Sequence, residues 1–202
     1  MKKVGLYVIL FLGFINIYLL YNNKSTIKRL NDINNNEVMR YENDKHLYEE
    51  TIKEQFLNNS ILINPNLELI DSNNKKILIK KVIGKNKKLV IRSSEKGCGM
   101  CIEGELKRIK KYSDSIGISN IIIITTHSSA RKLEVFKKMN DINFDTYFCE
   151  DLGFPIENKS EKTFVFILGN ELISNNFFLT NLEFPELSYN YYSSIIHKLH
   201  ER

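Results

Sequence analysis

The chain begins with a long apolar segment. Residues 4–21 read VGLYVILFLGFINIYLLY and follow two lysines. As a helix with a rise of about 1.5 Å per residue, this segment matches the thickness of the hydrocarbon core of a bilayer. Its end lacks the small residues that signal-peptide cleavage requires. We therefore expect residues 1–22 to form an uncleaved, single transmembrane helix that contacts lipid through residues 4–21. Basic residues flank both ends, so charge does not fix its orientation.

Residues 23–60 are mostly polar, with apolar positions at helical spacing over the second half. This pattern predicts a helical stalk, either extended between membrane and domain or packed on the domain. The three asparagines at 34–36 predict a break in the helix. The heptads are not sustained, which disfavours a coiled-coil dimer.

From residue 61 to residue 202 the pattern changes to short strands and amphipathic helices. We predict strands at 67–70, 77–79, 88–93, 120–125, 144–149, 163–168 and 171–179, and helices at 98–115, 129–140 and 182–200. The first two strands form an N-terminal β-hairpin, and Gly169 and Asn170 join the last two as a second hairpin. Strands that alternate with helices and end in a hairpin imply an α/β domain, with a mixed central sheet flanked by helices.

Composition and charge indicate which kinds of partner the protein can bind and which kind of cysteine site it has. The hydrophobic fraction of 43% and the charged fraction of 26% are typical of a globular protein. The net charge of +5 comes from scattered lysines. We therefore predict no nucleic-acid partner. Two of the three cysteines are spaced Cys-x-x-Cys. This spacing is typical of redox or metal sites rather than of a secreted disulfide scaffold.

Cys98 and Cys101 follow a predicted buried strand and stand where a helix is predicted to begin. First-turn amides and the helix dipole stabilise a thiolate at the first cysteine, so we predict that Cys98 is the nucleophile. Cys101, one turn later, is then the resolving thiol. Lys96 adds positive charge near the thiolate. We interpret Glu103 as a first-turn acid that interacts favourably with the helix dipole.

A zinc site is the alternative for a Cys-x-x-Cys pair, with Cys149 or a histidine as further ligands. The chain has no second paired motif, and His197 and His200 lie far away on the final helix, so we predict no metal and no other cofactor. Cys149 is interpreted as a buried apolar thiol, with a third redox cysteine as the alternative.

Four segments together resemble a known family. They are PNLELIDSNNKKI at 65–77, the strand at 89–91 after Gly84 and Lys85, EKGCGMC at 95–101 and KTFVFI at 162–167. They resemble the thioredoxin superfamily, in particular its membrane-anchored TlpA/ResA-like branch, from about Pro65 to the C-terminus. The resemblance implies a thioredoxin-like fold and a dithiol that reduces protein disulfides. It also implies protein thiols or disulfides as partners, an electron-donor protein in the membrane and an extracytoplasmic domain.

The resemblance places Gly97, Lys162 and Thr163 at the substrate-docking edge, where the chain departs from the family twice. Relatives usually have Trp at the position of Gly97 and a cis-proline near the position of Lys162. A cis bond before a non-proline residue costs about 3 kcal/mol, so we expect a trans bond and substrate docking unlike that of relatives. These departures favour an alternative function, a non-catalytic thioredoxin-like binding or assembly module at the membrane.

Overall fold

The protein is described from a computed structural model that covers residues 2–127 and 129–200, with side chains from residue 11 onward except that of residue 17. The chain divides into two compact units, Met1–Glu50 and Thr51–Arg202. The second unit contains the sheet, the remaining helices and all three cysteines.

Helix α1 extends without interruption over Lys2–Asn58, and its part up to Glu50 makes up the first unit. The predicted break at residues 34–36 is wrong. Asparagine costs at most about 0.7 kcal/mol per residue in a helix, too little to interrupt a long one. Among the described residues, no helix has an apolar stretch long enough to cross a membrane. Within the predicted anchor at residues 4–21, the side chains of residues 4–10 and 17 lie outside what the structure describes, so the anchor stays a prediction.

The second unit alternates strands and helices in nearly the predicted order. The strands are β1 (Glu68–Ile70), β2 (Lys76–Leu78), β3 (Lys88–Ser93), β4 (Ile121–Thr125), β5 (Asp145–Phe148), β6 (Phe164–Leu168) and β7 (Ser174–Leu179). The helices are α2 (Ile79–Ile83), α3 (Gly99–Ile116), α4 (Ala130–Met139) and α5 (Pro185–His200), with 3-10 turns at Ile118–Asn120 and Pro155–Asn158. Helix α2 was not predicted, because its sequence IKKVI is equally compatible with the end of a strand.

The seven strands form one mixed sheet in the order β2-β1-β5-β4-β3-β6-β7. Strands β3, β4 and β5 are parallel, whereas β6 is antiparallel to β3. The mixed sheet, the β1–β2 hairpin and the β6–β7 hairpin are therefore confirmed. Because β3 lies between β4 and β6, its end at Ser93 lies beside the end of β4 and the start of β6.

Apolar side chains cover both faces of the sheet. Helices α3 and α5 pack on one face, against alternate residues of β3, β4 and β6. Helix α2 and the segment between β5 and β6 pack on the other face. The four isoleucines of β4 at 121–124 are at most 1% exposed, as expected for a strand buried on both sides.

The last turns of α1 belong to the second unit, which begins at Thr51, ahead of the expected boundary between residues 60 and 61. Asn58 is fully buried. Its side-chain oxygen accepts the N–H of Ile156 (3.0 Å), and its backbone carbonyl accepts the hydroxyl of Ser174 (3.1 Å). The end of α1 is thus bonded to the segment after β5 and to the start of β7.

Arg92 is a buried arginine in the central strand, with only 3% of its side chain exposed. Its guanidinium donates to Glu157 Oε1 (2.6 Å) and to the carbonyls of Cys149 and Glu150 (2.7 Å each). The second carboxylate oxygen of Glu157 accepts the N–H of Phe154 (3.1 Å). Burial raises the pKa of Glu157, although Arg92 opposes this effect. Arg92 thereby fixes the segment between β5 and β6 to the centre of the sheet.

We predict that Arg92→Met lowers the free energy of unfolding by about 3–5 kcal/mol, because it leaves the Glu157 carboxylate buried without its partner. The matched control is Lys76→Met, which breaks an exposed ion pair with Glu68. That change should leave the free energy of unfolding nearly unchanged, because exposed ion pairs contribute little to stability. Urea denaturation of both variants measures the difference, and equal losses would contradict a structural role for the buried pair.

Candidate active site

Cys98 and Cys101 lie at the N-terminus of α3, as predicted. Cys98 is the N-cap residue, with an extended backbone, and its Sγ accepts the N–H of Cys101 at 3.3 Å. Both are free thiols; Cys98 is exposed and Cys101 is partly buried. The N–H groups and the dipole of a helix N-terminus stabilise negative charge on a capping sulfur.

The pKa values of the two thiols are displaced in opposite directions. A hydrogen bond from the Cys101 side chain lowers the pKa of Cys98, with further lowering by the backbone N–H groups of Cys101 and Met100. Burial, followed by the hydrogen bond to Cys98 and the charge of Cys98, raises the pKa of Cys101 to about 11. The pair therefore combines an exposed thiol that ionises more readily than an ordinary cysteine with a neighbouring thiol that ionises less readily, as a nucleophile and its resolving partner require.

Gly97 packs against the backbone of the loop that precedes β6. A Cβ atom at this position would lie 2.5 Å from the carbonyl oxygen of Glu161 and 3.3 Å from that of Ser94. The N–H of Gly97 also donates to the Ser94 carbonyl (3.2 Å). Because the obstacle is main chain, it cannot turn aside as a flexible side chain would. This contact is a physical reason for glycine at the position where the resemblance implies tryptophan.

Lys162 and Thr163 follow directly after this contact. No peptide bond among the described residues is cis, including the one before Lys162. The side chain of Lys162 is exposed, and its N–H donates to the Ser160 hydroxyl (3.0 Å). Thr163 is buried, and its carbonyl accepts the N–H (3.1 Å) and the hydroxyl (2.8 Å) of Thr180. The backbone here is largely engaged within the protein, and a role in docking stays a prediction.

The two charged residues predicted near the thiolate occupy different surroundings. Lys96 is exposed and lines a polar pocket of about 730 Å³ that also includes Lys162. Helix α3 begins at Gly99 and has no acidic residue in its first turn. The first-turn interpretation of Glu103 is therefore wrong, because Cys98 occupies the cap and Glu103 falls in the second turn.

The loop before Cys98 is held on both sides by contacts that the sequence did not reveal. The Ser94 hydroxyl donates to the Glu161 carboxylate, in the loop before β6. On the other side, the N–H of Glu95 donates to the Thr126 hydroxyl (2.7 Å), and the Glu95 carboxylate pairs with Lys132 of α4 (2.6 Å). Three separate segments therefore position the nucleophile.

A groove of about 600 Å³ lies between α3 and α4, beside the dithiol. The α3 side contributes Gly97, Gly99, Ile102 and Glu103, and the α4 side contributes His127, Arg131, Val135, Phe136 and Met139. The ring of His127 packs on that of Phe136, with centroids 4.7 Å apart. Burial lowers the pKa of His127. The groove therefore has a mainly apolar wall next to an exposed thiol.

Cys149 lies apart from this chemistry. It is 4% exposed, and its Sγ donates to the Asp151 carbonyl (3.2 Å). Burial raises its pKa. Since the thiolate is the reactive form, these surroundings favour the buried-thiol interpretation. Within the described part of the chain, no group of three or more His, Cys, Asp or Glu side chains is placed to hold a metal ion.

No protein-family model matches the chain, and no curated protein is similar to it in sequence. Solved structures are similar in fold. Peroxidoxin BcpB from Mycobacterium tuberculosis matches with a TM-score of 0.54 at 9% identity, over 72% of this chain and 99% of that one. ScoI from Arabidopsis thaliana, solved with copper bound, matches with a TM-score of 0.52 at 9% identity, over 70% of this chain and 100% of that one. A candidate protein disulfide isomerase from Bacteroides thetaiotaomicron matches with a TM-score of 0.50 at 15% identity, over 69% of this chain and 89% of that one. These likenesses show a thioredoxin-like fold.

We predict that Gly97→Ala destabilises the protein by roughly 1–3 kcal/mol, because the added methyl group must displace the Glu161 backbone. Gly99→Ala is the matched control, since a Cβ there meets nothing within 4 Å. In the first turn of a helix, alanine should be neutral or stabilising. Urea denaturation of the two variants measures the contrast. Equal stability would show that the loop at 161 moves freely away from residue 97.

We also predict that Cys98 alone is alkylated rapidly near neutral pH. Its rate constant should rise with a midpoint below that of a free cysteine, about 8.5, because its folded-state pKa is lowered. Cys101→Ala removes the largest cause of the lowering and should move the midpoint upward. Iodoacetamide kinetics between pH 5 and 10, with peptide mapping of the modified residue, measure this. An unchanged midpoint in the variant would contradict the assigned cause.

Proposed function

We propose that this chain is a membrane-tethered thiol-disulfide oxidoreductase that reduces protein disulfides through Cys98 and Cys101. The observation that carries the proposal is the opposite displacement of the two thiol pKa values at one helix N-terminus. The thioredoxin-like fold supports it, because the solved structures with this fold include a candidate protein disulfide isomerase.

The proposed reaction moves two electrons from the dithiol to the substrate. The Cys98 thiolate attacks one sulfur of the substrate disulfide, whose S–S bond breaks and releases one substrate thiolate. Cys101 then loses its proton and attacks Cys98 Sγ, which breaks the mixed disulfide and releases the second substrate thiolate. Both substrate thiolates take up protons. The substrate disulfide is reduced, and Cys98 and Cys101 are oxidised to a disulfide.

The docking edge of the proposed enzyme comprises Gly97, Lys162 and Thr163. The N–H of Lys162 and the carbonyl of Thr163 already have partners inside the protein. A substrate here therefore meets mostly side chains, namely the exposed amines of Lys96 and Lys162 at the rim of the polar pocket. Charged groups at the rim affect the encounter rate and specificity more than affinity.

The membrane tether completes the proposal. The apolar run at residues 4–21 supports a single-pass anchor, and the resemblance to the TlpA/ResA-like branch supports an extracytoplasmic domain. In that location the oxidised dithiol is re-reduced by a membrane protein that donates electrons. The reducing direction and the donor both follow from this resemblance.

A non-catalytic binding or assembly module at the membrane is the second candidate. The observations that favour it are the lysine at position 162 and the close approach of Gly97 to Glu161, which make this edge unlike that of the relatives. The two candidates differ in one measurable property, a reversible dithiol-disulfide couple.

The test is reduction of insulin disulfides by the full-length chain with dithiothreitol as donor. We expect catalysis by the wild type, loss of at least about 100-fold in Cys98→Ala, and an accumulated mixed disulfide in Cys101→Ala. Cys149→Ala is the matched control and should retain the rate. A reductase should show a couple near the thioredoxin value, about −270 mV. If wild type and Cys98→Ala are equally inactive and no couple appears, the binding module replaces the enzyme.

A further inference from the structure

The groove between α3 and α4 reaches the two chain neighbours of the nucleophile. Gly97 and Gly99, the residues on either side of Cys98, both line it. A polypeptide held by a disulfide bond to Cys98 therefore has this groove as one path along which it can continue. Neither glycine has a side chain that would obstruct the entrance. The inference that follows rests on the proposed function, because it concerns the substrate held at Cys98.

One face of α4 presents a stripe of three groove residues. Arg131, Val135 and Met139 are spaced four apart and therefore lie above one another on the helix surface. Val135 is 47% exposed and Met139 is 77% exposed, whereas Ile102 at the base of the groove is 7% exposed. Exposed apolar groups along a groove favour apolar side chains on a partner, and methionine adapts readily to their shapes.

Arg131 gives the stripe a charged end. Neither an ion pair nor a hydrogen bond of its side chain occurs among the described residues, whereas the neighbouring Lys132 is paired with Glu95 (2.6 Å). The charge of Arg131 is therefore available to a partner. On the opposite wall, Glu103 is exposed and would repel an acidic group placed near α3.

The direction of α4 orders these groups relative to Cys98. Strands β3 and β4 are parallel, so α4 begins at the edge of the sheet where α3 begins. Arg131 lies in the first turn of α4, and Met139 is its last residue. At about 1.5 Å per helical residue the stripe spans about 12 Å, which an extended peptide covers in roughly four residues.

We infer that the groove binds an extended segment of the protein substrate. In this segment the reacting cysteine is flanked on one side by an acidic residue, which faces Arg131. Large apolar residues then follow within about four positions and pack on Val135 and Met139. Specificity arises from the order of charge and apolar groups along α4, while the chemistry at Cys98 is unchanged.

The test uses the full-length chain and synthetic peptides whose single cysteine carries a 2-nitro-5-thiobenzoate group. Its release is coloured and reports attack by Cys98. Peptides with an Asp-then-Leu flank are compared with Lys-then-Leu and all-alanine flanks, on either side of the cysteine. We expect the Asp-then-Leu peptide to react about five- to tenfold faster than the others on one side of the cysteine.

Arg131→Glu should invert this preference in favour of the lysine peptide, and Met139→Ala should reduce the advantage of leucine. Lys137→Glu makes the same charge change on α4 outside the groove and serves as the matched control. Hydroxyethyl disulfide is too small to extend along the groove to Val135 and Met139, so the wild type and Lys137→Glu should reduce it at the same rate.

The outcomes separate the two proposals. If the wild type reduces hydroxyethyl disulfide but shows no flank preference, or if Arg131→Glu leaves that preference unchanged, the groove proposal is overturned and the proposed function stands. If the wild type reduces neither the small disulfide nor any peptide, the proposed function fails, and the groove proposal fails with it.

Discussion

The pairing of β3 between β4 and β6 is the constraint on which the rest of the site depends. Because β4 is parallel to β3 and β6 is antiparallel to it, the end of β3, the end of β4 and the start of β6 meet at one edge of the sheet. Helix α3 begins just beyond β3, and α4 just beyond β4. The nucleophile, the apolar groove and the loop at 160–163 are therefore neighbours as a result of strand order, with no need for direct bonds among all three.

A second constraint connects the buried interior to the nucleophile. Arg92 and Glu157 fix the segment after β5, and this segment continues into the loop that contains Glu161. The Glu161 carbonyl in turn lies so close to Gly97 that no side chain fits there. The residue before Cys98 is thus determined by a backbone whose position depends on a buried ion pair. A site with tryptophan at this position would require a different course of the chain between β5 and β6.

The parts of this structure that the sequence could predict are those determined by local pattern. The apolar run of β3 gave its bounds at residues 88–93, and the four isoleucines of β4 predicted its burial on both faces. Cys98 could be placed at a helix start because its position after a strand leaves little alternative. Helix α2 depends on tertiary contacts, since its sequence suits the end of a strand equally well. Glu103 lies beyond the first turn of α3 whether that helix begins at residue 98, as predicted, or at residue 99, as observed, so counting 3.6 residues per turn along the sequence would already have corrected its assignment.

The contacts that shape the site join distant parts of the chain. Arg92 and Glu157 are 65 positions apart, and Ser94 and Glu161 are 67 apart. In the sequence, Arg92 is an ordinary residue in a strand, and Glu161 is one of several charged residues in a polar loop. Only their pairing gives them a role, and pairing at this separation follows from topology rather than from local spacing.

The coupling of the two thiols also orders the steps of the proposed reaction. With Cys98 as a thiolate, burial, the hydrogen bond to Cys98 and the charge of Cys98 together keep Cys101 protonated, with a pKa of about 11. Once Cys98 is bonded to a substrate sulfur it carries no charge, so two of these three causes weaken. The pKa of Cys101 then falls, and it becomes a nucleophile only when there is a mixed disulfide to resolve. The same hydrogen bond that activates Cys98 therefore keeps its partner inactive until the first step is complete.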